Sequence, residues 1–191
     1  MTALHHAWGE IFEVPAATSA ADLLRLPDDG YKNELYEGAL VREMTTPGHG
    51  EICQRLGGEL YIYAKATGLP NRIVQNALFD LTPPGAVKRT VLAPDLAILR
   101  AGAALPWDAV PRQAPLLAVE VVSDSQTLAE LAVKAQVYRH AGVDEVWIVD
   151  HRSRTVEVWD ARGTSALADT QALTTALLPG FSLAVGTLLD G

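Results

Sequence analysis

A chain of 191 residues, 49% hydrophobic and 20% charged, is long enough to bury one sizeable core, which predicts a single globular domain spanning 1–191. Its formal charge of −8 excludes broad electrostatic attraction to nucleic acid, so any such contact needs a local basic patch. Lys88, Arg89, Arg139, Arg152 and Arg154 are candidates, although each alone reads as solvated surface charge.

No apolar run reaches the roughly 18 residues of a membrane span. The opening MTALHHAWGE lacks the basic and apolar regions of a signal peptide, and the single Cys53 cannot form an internal disulfide. A cytoplasmic protein is expected, with Cys53 a small buried hydrophobe on a helix.

Thr18-Ser19 with Asp22 predicts a short helix over Ala20 to Leu26, closed by Pro27 and the Asp28-Asp29-Gly30 turn. Glu34 to Glu43 reads as a hairpin turning near Glu37-Gly38. After Pro47-Gly48, a helical stripe runs through Ile52, Leu56, Leu60, Tyr63 and Thr67 to Gly68. Arg72 to Leu81 and Val87 to Leu99 read as strands around Thr82-Pro83-Pro84-Gly85, the second interrupted at Pro94. Gly102 to Pro115 is a loop.

Leu116 to Val122 is an apolar run with Glu120 in its middle, the pattern of a strand buried on both faces. Thr127 and Glu130 have capping-box spacing, opening a helix that Gly142 ends. Leu128, Leu131, Ala135, Tyr138 and Ala141 form its inward stripe. Val146 to Val149 is a second apolar strand, followed by a strand over Thr155 to Trp159 through a turn at His151 to Arg154. The pattern weakens from Thr164, and Leu177 to Leu189 reads as an ordered closing segment.

A carboxylate in mid-strand has no turn to cap, and burying its charge is costly without a partner, so Glu120 points to function. Asp80 and Asp95 lie at strand ends, where they either cap turns or converge with Glu120 on a hard divalent cation. Lys134 stands four residues after Glu130, so its spacing suits a helical ion pair as well as a site role.

At these residues the sequence resembles a family. PDLAIL (Pro94 to Leu99), LLAVEVVSDS (Leu116 to Ser125), ELAVKAQVY (Glu130 to Tyr138) and GVDEVWIVD (Gly142 to Asp150) look like the bacterial Uma-two family, grouped with restriction endonucleases in the PD-(D/E)xK nuclease superfamily. NELYEG at Asn33 to Gly38 and LPGFSLAVGTLLD near the end extend the resemblance over nearly the whole chain. It implies an α/β, restriction-endonuclease-like core, a mixed central β-sheet flanked by helices, with Asp95 and Glu120 as metal-site acids. The lysine usual two residues after the second acid is replaced by Val122, and Lys134 on the next helix inherits its role. Glu34 and His49 match the family's early glutamate and histidine, and Asp80 an acid of its first core strand.

The implied chemistry is endonucleolytic hydrolysis of DNA phosphodiesters with Mg²⁺, for which Mn²⁺ can substitute, held by Asp95 and Glu120 with Asp80 as a further acid. Lys134, on a four-carbon stem spanning roughly 6 Å, would orient water or neutralise developing charge. A homodimer is expected. The alternative is a non-catalytic binding or regulatory module on the same fold, its acids kept for structure.

Overall fold

The structure is a computed structural model that describes residues 10–12, 19–26, 30–124 and 126–190. Thr18, the turn residues 27–29, Ser125 and the opening 1–9 of the chain lie outside the described residues.

The central sheet has six strands in the order β11-β10-β9-β8-β7-β4: Gly163–Ala168, Thr155–Asp160, Glu145–Asp150, Leu117–Val121, Leu96–Ile98 and Ile73–Gln75. β8 runs parallel to β9 and antiparallel to β7, so the sheet is mixed. The parallel pair is joined by α3, Leu128–His140, which crosses over one face. The other face is covered by α2, Pro47–Thr67, and by α4, Val185–Asp190.

β8 is buried on both sides, as its unbroken apolar run predicts. Leu117, Val119 and Val121 pack with α2 and α4, whereas Ala118 and Val122 pack with α3. Two-residue alternation therefore turns Glu120 to the α3 face, and on β7 it assigns Asp95 to the side of Ala97 and Leu99, also the α3 face. α2 approaches the sheet closely at Gly57, where an added Cβ would lie 2.9 Å from the Gln75 side chain and 3.3 Å from Leu96.

A second sheet, of five strands in the order β1-β3-β2-β6-β5, comprises Glu10–Phe12, Ala39–Met44, Tyr31–Tyr36, Val91–Leu92 and Phe79–Asp80. Its β2–β3 hairpin turns at Glu37 and Gly38, both with positive φ (47° and 81°), where the sequence predicts. The pairing Glu34↔Val41 and Lys32↔Glu43 gives this hairpin two unlike faces. Leu35 and Leu40 pack with Leu23 of α1, Ala20–Leu23, while Lys32, Glu34, Val41 and Glu43 share the opposite side.

Several boundaries differ from expectation. Arg72 to Leu81 is not one strand: it divides into β4 and β5, which belong to different sheets, around Asn76 at φ 49°. Val87 to Leu99 likewise divides into β6 and β7 on either side of Pro94, which cannot donate to a ladder. α1 starts at Ala20 as expected but ends at Leu23 rather than Leu26, and Ser19 and Asp22 form a capping box at its start. β11 is unannounced by its sequence because five of its six residues are exposed and no alternating apolar pattern marks it. The closing segment is β13, Leu183–Ala184, paired with β12, Ala172–Leu173, and followed by α4.

Candidate functional site

The sheets and α3 converge on a buried cluster of charge. Asp95 stands just before β7, Glu120 in β8, Lys134 on α3, Lys32 and Glu34 on β2, Glu43 on β3, and His49 in the first turn of α2. All but Lys32 are buried, Lys134 being 0% exposed and Asp95, Glu120 and Glu34 each 1%, and the Lys32 side chain is 6% exposed.

Asp95 has two differently occupied oxygens. Oδ2 accepts from the Val121 backbone N–H at 2.7 Å and lies 3.0 Å from His49 Nε2, while Oδ1 faces Lys32 Nζ at 2.7 Å. Glu120 is arranged alike. Its Oε1 accepts from the Tyr138 hydroxyl at 2.6 Å and lies 2.9 Å from Lys134 Nζ, while Oε2 has no hydrogen-bond partner and lies 3.5 Å from the same Lys32 Nζ. Each acid thus fixes one oxygen on the scaffold and turns the other toward a shared point, the geometry of a ligand oriented from behind.

Glu34 accepts from the Ala93 backbone N–H at 2.6 Å through Oε1 and meets Lys134 at 2.9 Å through Oε2. Lys134 therefore bridges Glu34 and Glu120, and of the two readings open from spacing the helical pair with Glu130 is not the one formed. Glu130 instead completes the capping box, accepting from the Thr127 backbone at 2.7 Å and hydroxyl at 2.9 Å.

The electrostatics separate the two acids. Burial alone would raise Asp95, but Lys32 and the His49 hydrogen bond outweigh it and hold its carboxyl well below the ordinary range. Burial dominates at Glu120 and pushes it up to about 7, with Lys134 and Lys32 offsetting only part. Burial opposes the charge on Lys32 and Lys134, yet Asp95 and Glu120 for the first, and Glu120 and Glu34 for the second, raise both above the usual lysine value. His49 is also raised, burial being outweighed by its bond to Asp95.

His49, Cys53 and Asp95 form a further group whose potential ligand atoms all lie within 4.8 Å of one another. Burial drives the Cys53 thiol well above its usual range, which disfavours the thiolate a metal needs. Asp95 and Glu120 present anionic oxygens, the donors that Mg²⁺ and Mn²⁺ prefer.

The fold thus brings together Asp95, Glu120, Lys134, Glu34 and His49, and it does not bring Asp80 to them. Asp80 accepts from the Thr82 backbone at 3.1 Å and pairs with Arg112 at 3.7 Å and Arg89 at 3.8 Å. That is the turn-capping alternative, on the wall of a cavity of about 810 Å³ that Lys88 and His140 also line. Arg152 is spent on the Ser123 and Gln126 carbonyls, Arg154 on Asp169 and Asp190, and Arg139 on the Val143 carbonyl.

Lys32, Glu43 and Tyr138 escape the sequence reading. Lys32 lies two residues outside the expected hairpin, although extending its register reaches Lys32↔Glu43 directly. Tyr138 falls on the apolar stripe of α3, where spacing says nothing of its hydroxyl.

A crystal structure described as a putative nuclease belonging to DUF820 from Anabaena variabilis ATCC 29413 has the same fold, with a TM-score of 0.75 and 16% identity, covering 91% of this chain and 98% of that one. No curated protein matches the chain. The model of the Uma2 family, described as "Putative restriction endonuclease", matches residues 20–186, from the start of α1 into α4, and this chain belongs to that family.

Proposed function

We propose that this protein is a Mg²⁺-dependent endonuclease, also served by Mn²⁺, that hydrolyses DNA phosphodiester bonds as a single-domain cytoplasmic protein, assembled as a homodimer. The observation that carries the reading is the convergence of Asp95 Oδ1 and Glu120 Oε2, the oxygens not taken by the Val121 N–H and the Tyr138 hydroxyl, on one point, where both face the Lys32 ammonium. The family's description as restriction endonucleases supports the substrate class, and the related crystal structure, described as a nuclease, agrees with it.

A divalent ion held by Asp95 and Glu120 would supply Lewis acidity toward water and phosphate oxygen. His49 fixes Asp95 by binding its rear oxygen, and Tyr138 does the same for Glu120. Lys134 stands beside Glu120 as a permanent cation, ready to orient water or offset charge on the phosphate, and Glu34 keeps its ammonium in place. Asp80, engaged with Arg89 and Arg112, has no part in holding the ion unless those pairs break.

The near-complete burial of the cluster favours a second reading, a non-catalytic binding or regulatory module whose acids and lysines are kept for the fold. Nicking of supercoiled DNA separates the two. The nuclease requires Mg²⁺ or Mn²⁺ and is lost in Asp95→Asn, Glu120→Gln and Lys134→Ala. Activity that survives in Glu120→Gln argues for a contaminant or another site, and no nicking by folded wild type with either ion favours the module.

A further inference from the structure

The shared point faced by Asp95 and Glu120 is held by a side chain. Lys32 Nζ lies 2.7 Å from Asp95 Oδ1, 3.5 Å from Glu120 Oε2 and 3.3 Å from Glu43 Oε2, with its side chain 6% exposed. Neither oxygen of Glu43 has a hydrogen-bond partner among the described residues, so its buried charge leans on Lys32. An ammonium sits at about 2.7–2.9 Å from carboxylate oxygens, whereas a divalent ion needs about 2.0–2.6 Å. An ion seated between Asp95 Oδ1 and Glu120 Oε2 at such distances would overlap the place that Lys32 Nζ now holds.

Resting on the Asp95–Glu120 reading, we propose that Lys32 is a built-in surrogate cation: its ammonium holds the seat of the divalent ion, must leave for the ion to bind, and thereby frees Glu43 as a third carboxylate toward it. Four carboxylates (Glu34, Glu43, Asp95, Glu120) face two lysines here, so replacing a single charge by a double one moves the cluster toward neutrality. Lys134 is unsuited to this exchange. It meets Glu120 on the oxygen already bound by Tyr138, and it is 0% exposed. Lys32 is the second residue of β2, next to exposed Tyr31, which gives its stem a short way to solvent.

Calorimetric titration with Mn²⁺ alone, at one pH, of wild type, Lys32→Met and Glu43→Gln tests the exchange. Lys32→Met should bind Mn²⁺ about tenfold or more tighter than wild type, within the usual range of coupling between linked ligands, and Glu43→Gln should bind it more weakly. A merely structural lysine predicts the opposite, since its loss would loosen the site. If wild type binds Mn²⁺ and Lys32→Met binds no better, the surrogate role is overturned while the Asp95–Glu120 reading stands. If no protein binds Mn²⁺, both fall. Should Lys32→Met fail to fold, Lys32→Arg keeps the charge in a fork that can hold two carboxylate oxygens at once and resists displacement. It should bind Mn²⁺ more weakly than wild type, and equal or tighter binding overturns the proposal. In a crystal of wild type with bound Mn²⁺, Nζ should lie beyond hydrogen-bond distance of Asp95, and an unmoved Nζ overturns it as well.

Discussion

Lys134 Nζ lies 2.9 Å from Glu120 Oε1, across from its helix to a neighbouring strand, rather than along the helix toward Glu130. Removing the lysine leaves Glu34 and Glu120 buried without their common partner, and breaking a buried pair from one side costs about 3–5 kcal/mol. Lys134→Met should therefore lower the unfolding free energy, read by urea denaturation, by about that much. Glu130→Ala loses only helix-end stabilisation, below about 1 kcal/mol. Equal effects of the two substitutions would mean that the buried ion pair is not the one that matters.

The raised Glu120 gives a pH signature of definite sign. An unfolded glutamate releases its proton near the ordinary value of 4.5, but in the folded protein burial delays this to about 7. Between those values the folded state binds the extra proton, so this contribution is fully present below the first and is lost as pH rises through the second. Asp95 acts in the opposite sense and at lower pH, below its ordinary value of 3.8. His49, raised from 6.5, falls off in the same direction as Glu120, which a variant comparison separates. Denaturation of metal-free wild type and Glu120→Gln across this window should show the variant gaining on wild type as pH rises, by on the order of 3 kcal/mol. Parallel pH profiles would rule out a delayed proton on Glu120.

The Tyr138 hydroxyl anchors the rear oxygen of Glu120 at 2.6 Å, its one partner among the described side-chain hydrogen bonds. Tyr138→Phe keeps the packing and removes the donor, so stability should fall by about 1–3 kcal/mol. Loss of a group that orients a ligand weakens metal binding by roughly tenfold or more, and a Mn²⁺ titration should show it. An unchanged affinity would place Glu120 outside the ion's ligands.

Much of the architecture is legible because it rests on local chemistry. The apolar run around Glu120, the Thr127–Glu130 box and the Glu37-Gly38 turn each declare β8, α3 and the hairpin, and the fold contains all three. What spacing leaves open depends on contacts between distant segments. Lys134 has two acids within reach by sequence geometry, and only the β2 hairpin folding beneath α3 supplies Glu34 as well. Lys32 and Glu43 become site residues through the same hairpin, sixty-three residues before Asp95 in the case of Lys32. Asp80 shows the converse: once Arg72 to Leu81 breaks at Asn76, this strand-end acid beside Asp95 in pattern falls on β5, the outer strand of the second sheet, where it pairs with Arg89 and Arg112.

The final prediction joins the ion to stability without needing a substrate. A cation that binds only the folded state stabilises it by about 2.7 kcal/mol at one hundred times its dissociation constant, a melting shift of roughly 5–10 °C for a domain of this size. Wild type should show that shift between EDTA and millimolar Mn²⁺. Glu120→Gln should lose most of it, because the amide cannot replace the anionic Oε2 that faces Asp95 across Lys32. Asp80→Asn should keep it, since Asp80 is held by Arg89 and Arg112 on the cavity wall. A shift that persists in Glu120→Gln but vanishes in Asp80→Asn would move the ion to the cavity, and no shift in wild type would bring the binding-module reading forward.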